Sequence, residues 1–197
     1  MILPVQDDNS RKSELVRVAA GLFRDRGFER TTVRDIGNAV GLQSGSLFYH
    51  FRTKEEILVA VMALGITSTT EQLRAALAAA TSPREKVAAL VNVHLHSLLG
   101  ENQAALEVML YEWRSVSPEQ KPGLIVLRDR YEDLWQSALE EAVAAGLIRA
   151  EDPRLLRRMV LGSLQWSVQW YKRDGDLSVE QLAQQMLDIL LPPPDGQ

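Results

Sequence analysis

Apolar residues recur along this chain at three- and four-residue spacing, and no period-two alternation is long enough to read as a strand. The pattern therefore predicts an all-α protein of about nine helices. Leu15, Ala19, Leu22 and Phe23 share one face of a first helix, capped at Asn9 or Ser10, running to about Arg26 and ended by Gly27. Thr31 or Thr32 caps a short second helix over 33–40, Gly41 begins a turn, and a third helix follows over 44–51. Thr53-Lys-Glu-Glu56 has the form of a capping box and starts a long fourth helix through Met62 and Leu73 to about Ala80. Ser82-Pro83 starts a fifth, with Val87, Leu90, Val91, His94, Leu95 and Leu98 facing inward and Gly100 closing it. A sixth helix over 103–115 carries Leu106, Met109, Leu110 and Trp113 on one face, and Pro122-Gly123 reads as a loop. The last three are predicted over 124–145, 153–172 and from the cap at Ser178 to 191. The tail PPPDGQ cannot continue a helix and is expected to be exposed.

One stretch stands apart. Residues 32–54, TVRDIGNAVGLQSGSLFYHFRTK, spell two short helices joined by a tight turn. Gly41 suits the positive-φ position of that turn and Gly37 the crossing of the two helices. Ile36, Val40, Leu42 and Leu47 form the apolar side. Arg34, Gln43, Ser44, Ser46, Tyr49, His50 and Lys54 occupy the other, all groups able to bond phosphate oxygens or base edges.

The net charge of −4 argues against nucleic acid only as an average. Residues 1–54 hold nine Lys and Arg against six Asp and Glu, an excess of three positive charges, while the rest holds 13 against 20, an excess of seven negative. A phosphate-facing module on an acidic body gives this asymmetry, as does chance clustering of solvated charge. The predicted division is a DNA-binding domain over 1–54 and a ligand-binding and dimerisation domain over 55–197. The absence of cysteine fits a reducing compartment. The start MILPVQDDNS lacks the basic and apolar regions of a secretory leader, and no apolar run suits a membrane span, so a cytoplasmic protein is expected.

His94 and His96, two apart on a helix, point roughly 200° from each other and cannot share a metal ion. Zinc-protease, phosphate-loop and dinucleotide motifs are missing, so no metal and no cofactor is expected. Trp113, Trp135, Trp166 and Trp170, with Tyr111, Tyr131 and Tyr171, all fall in the second half. They either line an apolar ligand cavity between helices or pack a core and a dimer interface.

The runs AAGLFRDRGFERTTVRDI and AVGLQSGSLFYHFRTKEEI, after a basic helix start, resemble the TetR family of bacterial transcriptional regulators over about residues 11–57. AAGLIRAEDP at 144–153 and the late SVQWY resemble subgroups that govern lipid, acyl-CoA or sterol catabolism. The resemblance implies a homodimeric regulator, a repressor, whose two N-terminal modules enter successive major grooves of a palindromic operator and are released by a small apolar or acyl-CoA-type effector. By position, Arg34 and Ser44, with Gln43 as a further possibility, look like base-edge readers. Thr32, Tyr49, His50 and Lys54 look like phosphate contacts, and Ser46 suits either role. Two positions depart from the family pattern: Phe48 replaces a tyrosine and Gly37 an alanine. The resemblance further implies an effector cavity among the fourth to eighth helices, where Met62, Met109, Leu110, Trp113, Tyr131, Trp135, Trp166 and Trp170 are candidates. Arg128, Arg130, Arg157 and Arg158 are either partners for a CoA phosphate or solvated charges. The last two helices are expected to form a four-helix dimer interface through Val160, Leu164, Val168, Leu182, Met186 and Ile189. The competing classes are an all-α enzyme, for which no convergent acid, base or metal set is visible, and a helical protein-interaction module, which leaves 32–54 unexplained.

Overall fold

The computed structural model describes residues 8–41, 44–100 and 103–191. Among them are nine α-helices and no strand: α1 (Asp8–Arg26), α2 (Val33–Ala39), α3 (Ser44–His50), α4 (Lys54–Ala79), α5 (Pro83–Leu99), α6 (Ala104–Tyr111), α7 (Lys121–Ala144), α8 (Pro153–Trp166) and α9 (Val179–Leu190). The caps explain most of the starts. Thr32 and Asp35 form a reciprocal capping box on α2, Ser82 accepts from the Glu85 N–H ahead of Pro83 on α5, and Ser178 and Gln181 form a second box on α9. At α4 the expected box is displaced by one residue. Thr53 Oγ1 accepts from the Glu56 N–H, but the Glu56 carboxylate accepts from Arg52 N–H.

Four boundaries differ from the sequence reading, each for a local reason. α1 begins at Asp8, so Asn9 and Ser10 lie in its first turn and do not precede it. α6 stops at Tyr111 and the chain tightens into a 3-10 turn, Trp113–Ser115, where the Ser115 hydroxyl donates to the Glu112 carboxylate. α7 starts at Lys121, taking Pro122 into its first turn, where the missing N–H has no intrahelical partner to lose. α8 ends at Trp166, six residues early. The Ser167 hydroxyl donates to the Leu164 carbonyl and leads a 3-10 turn, Ser167–Gln169. The tail beyond Leu191 lies outside the described residues.

The chain divides into two compact units, Met1–Gly65 with Ala104–Ile125, and Ile66–Gln103 with Val126–Gln197. In the first unit α1 packs on α6 and on α2, and α2 packs on α3. Its core is Leu15, Phe23, Ile36, Leu47, Ile57 and Met62, all essentially sealed from water. α4 and α6 approach closely because residue 65 has no side chain: a Cβ there would sit 3.1 Å from the Ala105 Cβ. In the second unit α5 packs on α8 and α9, around Leu73, Leu90, Leu95, Leu98 and Trp135. Along the chain, α4 and α7 each begin in the first unit and end in the second.

Candidate nucleic-acid interface

The turn between α2 and α3 begins at Gly41, whose φ of 68° is strained for any residue with a side chain. Ile36, Val40, Leu47 and Phe51 are buried on the inner side of α2 and α3, as is Gly37. α1 secures the ends of this pair. The Arg11 guanidinium donates to the Val40 carbonyl at 3.3 Å, placing a cation at the C-terminal end of α2, and the Lys12 ammonium sits 5.1 Å from the Phe51 ring centre. Part of the basic start of α1 therefore holds the two-helix motif together.

The outward side carries the expected polar groups unevenly. Arg34 is exposed, and Tyr49 is 80% exposed with its ring edge-on to His50. Phe48, at a position where the family pattern has tyrosine, is half exposed, so an apolar ring lies on this surface. Thr32 is exposed but its hydroxyl is engaged. It accepts from the Asp35 N–H and donates to Asp35 Oδ2 at 2.6 Å, and this bond with that from the Thr32 N–H to the same oxygen holds the Asp35 carboxyl below its ordinary range. Gln43 lies outside the described residues, as do the side chains of Ser44 and Ser46, although the backbone of both serines belongs to α3.

Lys54 is more than a point charge. Its ammonium donates to the carbonyls of Phe28 at 2.9 Å and Glu29 at 3.4 Å, and lies 4.1 Å from the centre of the Phe28 ring. The Phe28 N–H donates to Glu112 Oε1 at 2.9 Å, so one peptide-bearing residue is held by a cation from α4 and an anion from the end of α6. Phe28 itself packs against Phe23 of α1, and the buried Thr31 hydroxyl bonds the Gly27 carbonyl. A second link, Ser117 N–H to Glu55 Oε1 at 2.7 Å, keeps the Glu55 carboxyl below its usual range. Sequence spacing gave no sign of either Glu112 or Lys54 in these roles, because the partners are backbone groups 84 and 26 residues away.

The expected effector residues separate by unit. Met62, Met109, Leu110 and Trp113 belong to the first, with Met62 buried and the Lys121 ammonium near the Trp113 ring. Tyr131 and Trp135 are brought together with His94 in the second. His94 Nδ1 is 2.7 Å from the Tyr131 oxygen, and the Trp135 ring lies edge-on to the imidazole. Trp166 and Trp170, by contrast, are 66% and 50% exposed. In the single chain these two lie on the surface and not in a cavity. Arg157 and Arg128 both pair with Glu132, whereas Arg130 and Arg158 are exposed.

The residues expected at a dimer interface also divide by burial in the single chain. Val160, Leu164 and Leu182 are buried within the chain itself, and Val168 and Met186 are half-buried; of the six only Ile189 is well exposed. α8 is apolar on two sides, and periodicity alone cannot say which side faces inward. The outward stripe is Leu155, Met159, Gly162 and Trp166, at spacings of four, three and four. Among the described residues there is no cluster of potential metal ligands, and no helix is long and apolar enough to cross a membrane.

Two family profiles match the chain: "Bacterial regulatory proteins, tetR family" over residues 15–61 and "Tetracyclin repressor-like, C-terminal domain" over 80–192. The HTH-type transcriptional repressor KstR2 of Mycolicibacterium smegmatis is 35% identical over 92% of this chain and 89% of its own. The crystal structure of AibR in complex with isovaleryl coenzyme A and operator DNA is similar at a TM-score of 0.86, with 28% identity over 93% of this chain and all of that one. The crystal structure of superantigen PfiT is similar at a TM-score of 0.83, with 45% identity over 96% of this chain and 100% of that one.

Proposed function

The chain belongs to the TetR family of bacterial transcriptional regulators, and we propose that it acts as a homodimeric repressor, reading a palindromic operator with α2 and α3 and released by an acyl-CoA or related lipid-derived effector. The observation that carries the DNA reading is the outward side of a tightly held α2–α3 pair, with Arg34 and Tyr49 presented to solvent above a sealed apolar side. In this reading Arg34 contacts a base edge, with Gln43, Ser44 and Ser46 alongside on the α3 side of the turn. Thr32, Tyr49, His50 and the one ammonium hydrogen of Lys54 not given to a carbonyl meet phosphates. Residues 1–54 read DNA, and 55–197 hold the effector and join the two copies.

The stripe Leu155–Met159–Gly162–Trp166 of α8, with Ile189 of α9, supplies the contact between copies, since five outward positions so spaced leave an apolar surface that an isolated chain would expose to water. The effector reading rests on the isovaleryl coenzyme A bound to AibR and on the buried aromatic cluster of α5 and α7. The protein then works in the cytoplasm beside the chromosome and catalyses no reaction. Footprinting on the DNA upstream of its own gene tests the DNA part. Protection of two half-sites about one helical turn apart is expected, and uniform protection at every sequence contradicts it.

A second reading, recognition of a protein and not of DNA, has one observation in its favour: the 45% identical structure is that of a superantigen. It makes a separate prediction, T-cell proliferation on addition of the purified chain, and silence in that assay removes it.

A further inference from the structure

The outward side of α3 carries one side chain that hydrogen bonding to phosphates and base edges leaves unused. Phe48 is 50% exposed and has no polar atom, while its neighbour Tyr49, 80% exposed, ends in a hydroxyl. Leu47 and Phe51 are buried on the inner side, and the Phe51 N–H donates to the Leu47 carbonyl at 3.0 Å, so the helical turn that carries Phe48 is closed by a backbone bond and anchored in the core at both ends.

A side chain on a helix leans toward the helix N-terminus and covers the turn before its own Cα. For Phe48 that turn holds Ser44 and Gly45, at the N-terminal end of α3. This is the end that meets base edges when the second helix of such a motif lies in the major groove. Tyr49 points away from the buried side, where its hydroxyl suits a phosphate.

What a phenyl ring can recognise at a base edge is narrow. It neither donates nor accepts an ordinary hydrogen bond, so a polar group placed against it would lose water and gain no partner. The major groove offers one apolar group, the C5-methyl of thymine. Covering that methyl with the open part of the ring removes apolar surface on both sides from water. A tyrosine here would bring a hydroxyl that needs a polar partner. Phenylalanine removes that need and leaves an apolar contact as what the ring can gain.

We propose that Phe48 is a specificity-determining residue that reads thymine, its ring covering the C5-methyl of one thymine in each half of the operator. The assignment rests on the DNA reading above, with α3 in the major groove.

The test exchanges single thymines of the footprinted upstream duplex for deoxyuridine, which deletes the methyl and keeps every hydrogen-bonding group. Binding of the full chain is then measured by competition anisotropy. For the wild type, exchange at one position in a half-site is expected to weaken binding about fourfold, and exchange at the matching positions of both half-sites about 16-fold, as the loss of one and two buried methyl contacts requires. In Phe48→Ala the same exchange has no further effect, while exchanges at other thymines cost what they cost the wild type. Phe48→Gln, which keeps the length of the side chain with a polar end, is expected to lose the discrimination likewise and serves if the alanine variant does not fold. Equal affinity for every exchanged duplex, or undiminished discrimination in either folded variant, overturns the methyl contact and leaves the DNA reading standing. No binding of the upstream duplex at low salt contradicts the DNA reading and the methyl contact with it.

Discussion

Arg34, Lys54 and His94 carry the account at the level of single residues, and each makes a different prediction. Arg34 is exposed on α2 and offers the planar fork that matches guanine. Arg34→Ala is expected to weaken the specific operator by about 1–3 kcal/mol and to relax choice at one base pair. Competition binding against operators mutated at each position checks this, and equal weakening on all sequences contradicts it. Lys54 holds two carbonyls of the α1–α2 connection, so Lys54→Met should lower the melting temperature, at a cost of about 1–3 kcal/mol, as well as reduce the salt slope of DNA binding by about one. A lower slope with unchanged melting would deny its structural part. His94 supplies a pH dependence. Burial pushes its folded pKa down to about 4 from the ordinary imidazole value of 6.5, so the unfolded chain takes up the proton first as pH falls. The stability is fully present above about pH 6.5 and is lost progressively down to about pH 4, by an amount on the order of 3 kcal/mol. Asp35, Glu55 and Glu85 have lowered pKa values and add a further loss only as pH falls below the ordinary carboxylate range. Melting curves between pH 8 and 4 should slope less in His94→Phe than in the wild type from about pH 6.5 downward.

Elements were legible where their signal is local and obscure where it depends on what packs against them. Thr32, Ser82 and Ser178 announce their helices because a cap bonds backbone three residues away, and Gly41 announces its turn because glycine takes that φ without strain. The burial of Ile36, Val40 and Leu47 follows from spacing alone. α8 was not legible in the same way. Val160 and Leu164 read as well for an interface as Leu155, Met159 and Trp166, and only their burial in the fold, where α5 packs on α8, shows that the first pair faces inward. The corrected face is testable. Trp166→Glu is expected to give a folded monomer by light scattering with operator binding lost, whereas Leu164→Asp, buried, should unfold the second unit. A Trp166→Glu protein that remains dimeric would show that α8 joins through another side. The early end of α6 was equally hidden, since Glu112 leaves the helical pattern to bond Phe28, a partner 84 residues distant.

For the molecule as a whole, the two units do not follow the order of the chain. α6 and the start of α7 belong with α1–α3, held by Glu112 at Phe28 and by Glu55 at Ser117, although they follow α5 in sequence. A segment that lies in sequence between two stretches of the second unit is therefore bonded directly to the α1–α2 connection and to the start of α4. An effector that favours one arrangement of that segment would shift the population of DNA-competent dimers by no more than its difference in affinity for the two states. Glu112→Gln, which leaves a weaker neutral acceptor for the Phe28 N–H, is expected to reduce the effect of the effector on DNA affinity more than the affinity itself. The most direct measurement is fluorescence anisotropy of a labelled duplex from upstream of the gene, with a scrambled duplex as control, titrated with the purified chain and then with isovaleryl-CoA. Selective binding of the upstream duplex by two chains per site is expected, steeply weakened by salt and reversed by the acyl-CoA. Equal binding of the two duplexes, or none at low salt, would contradict it.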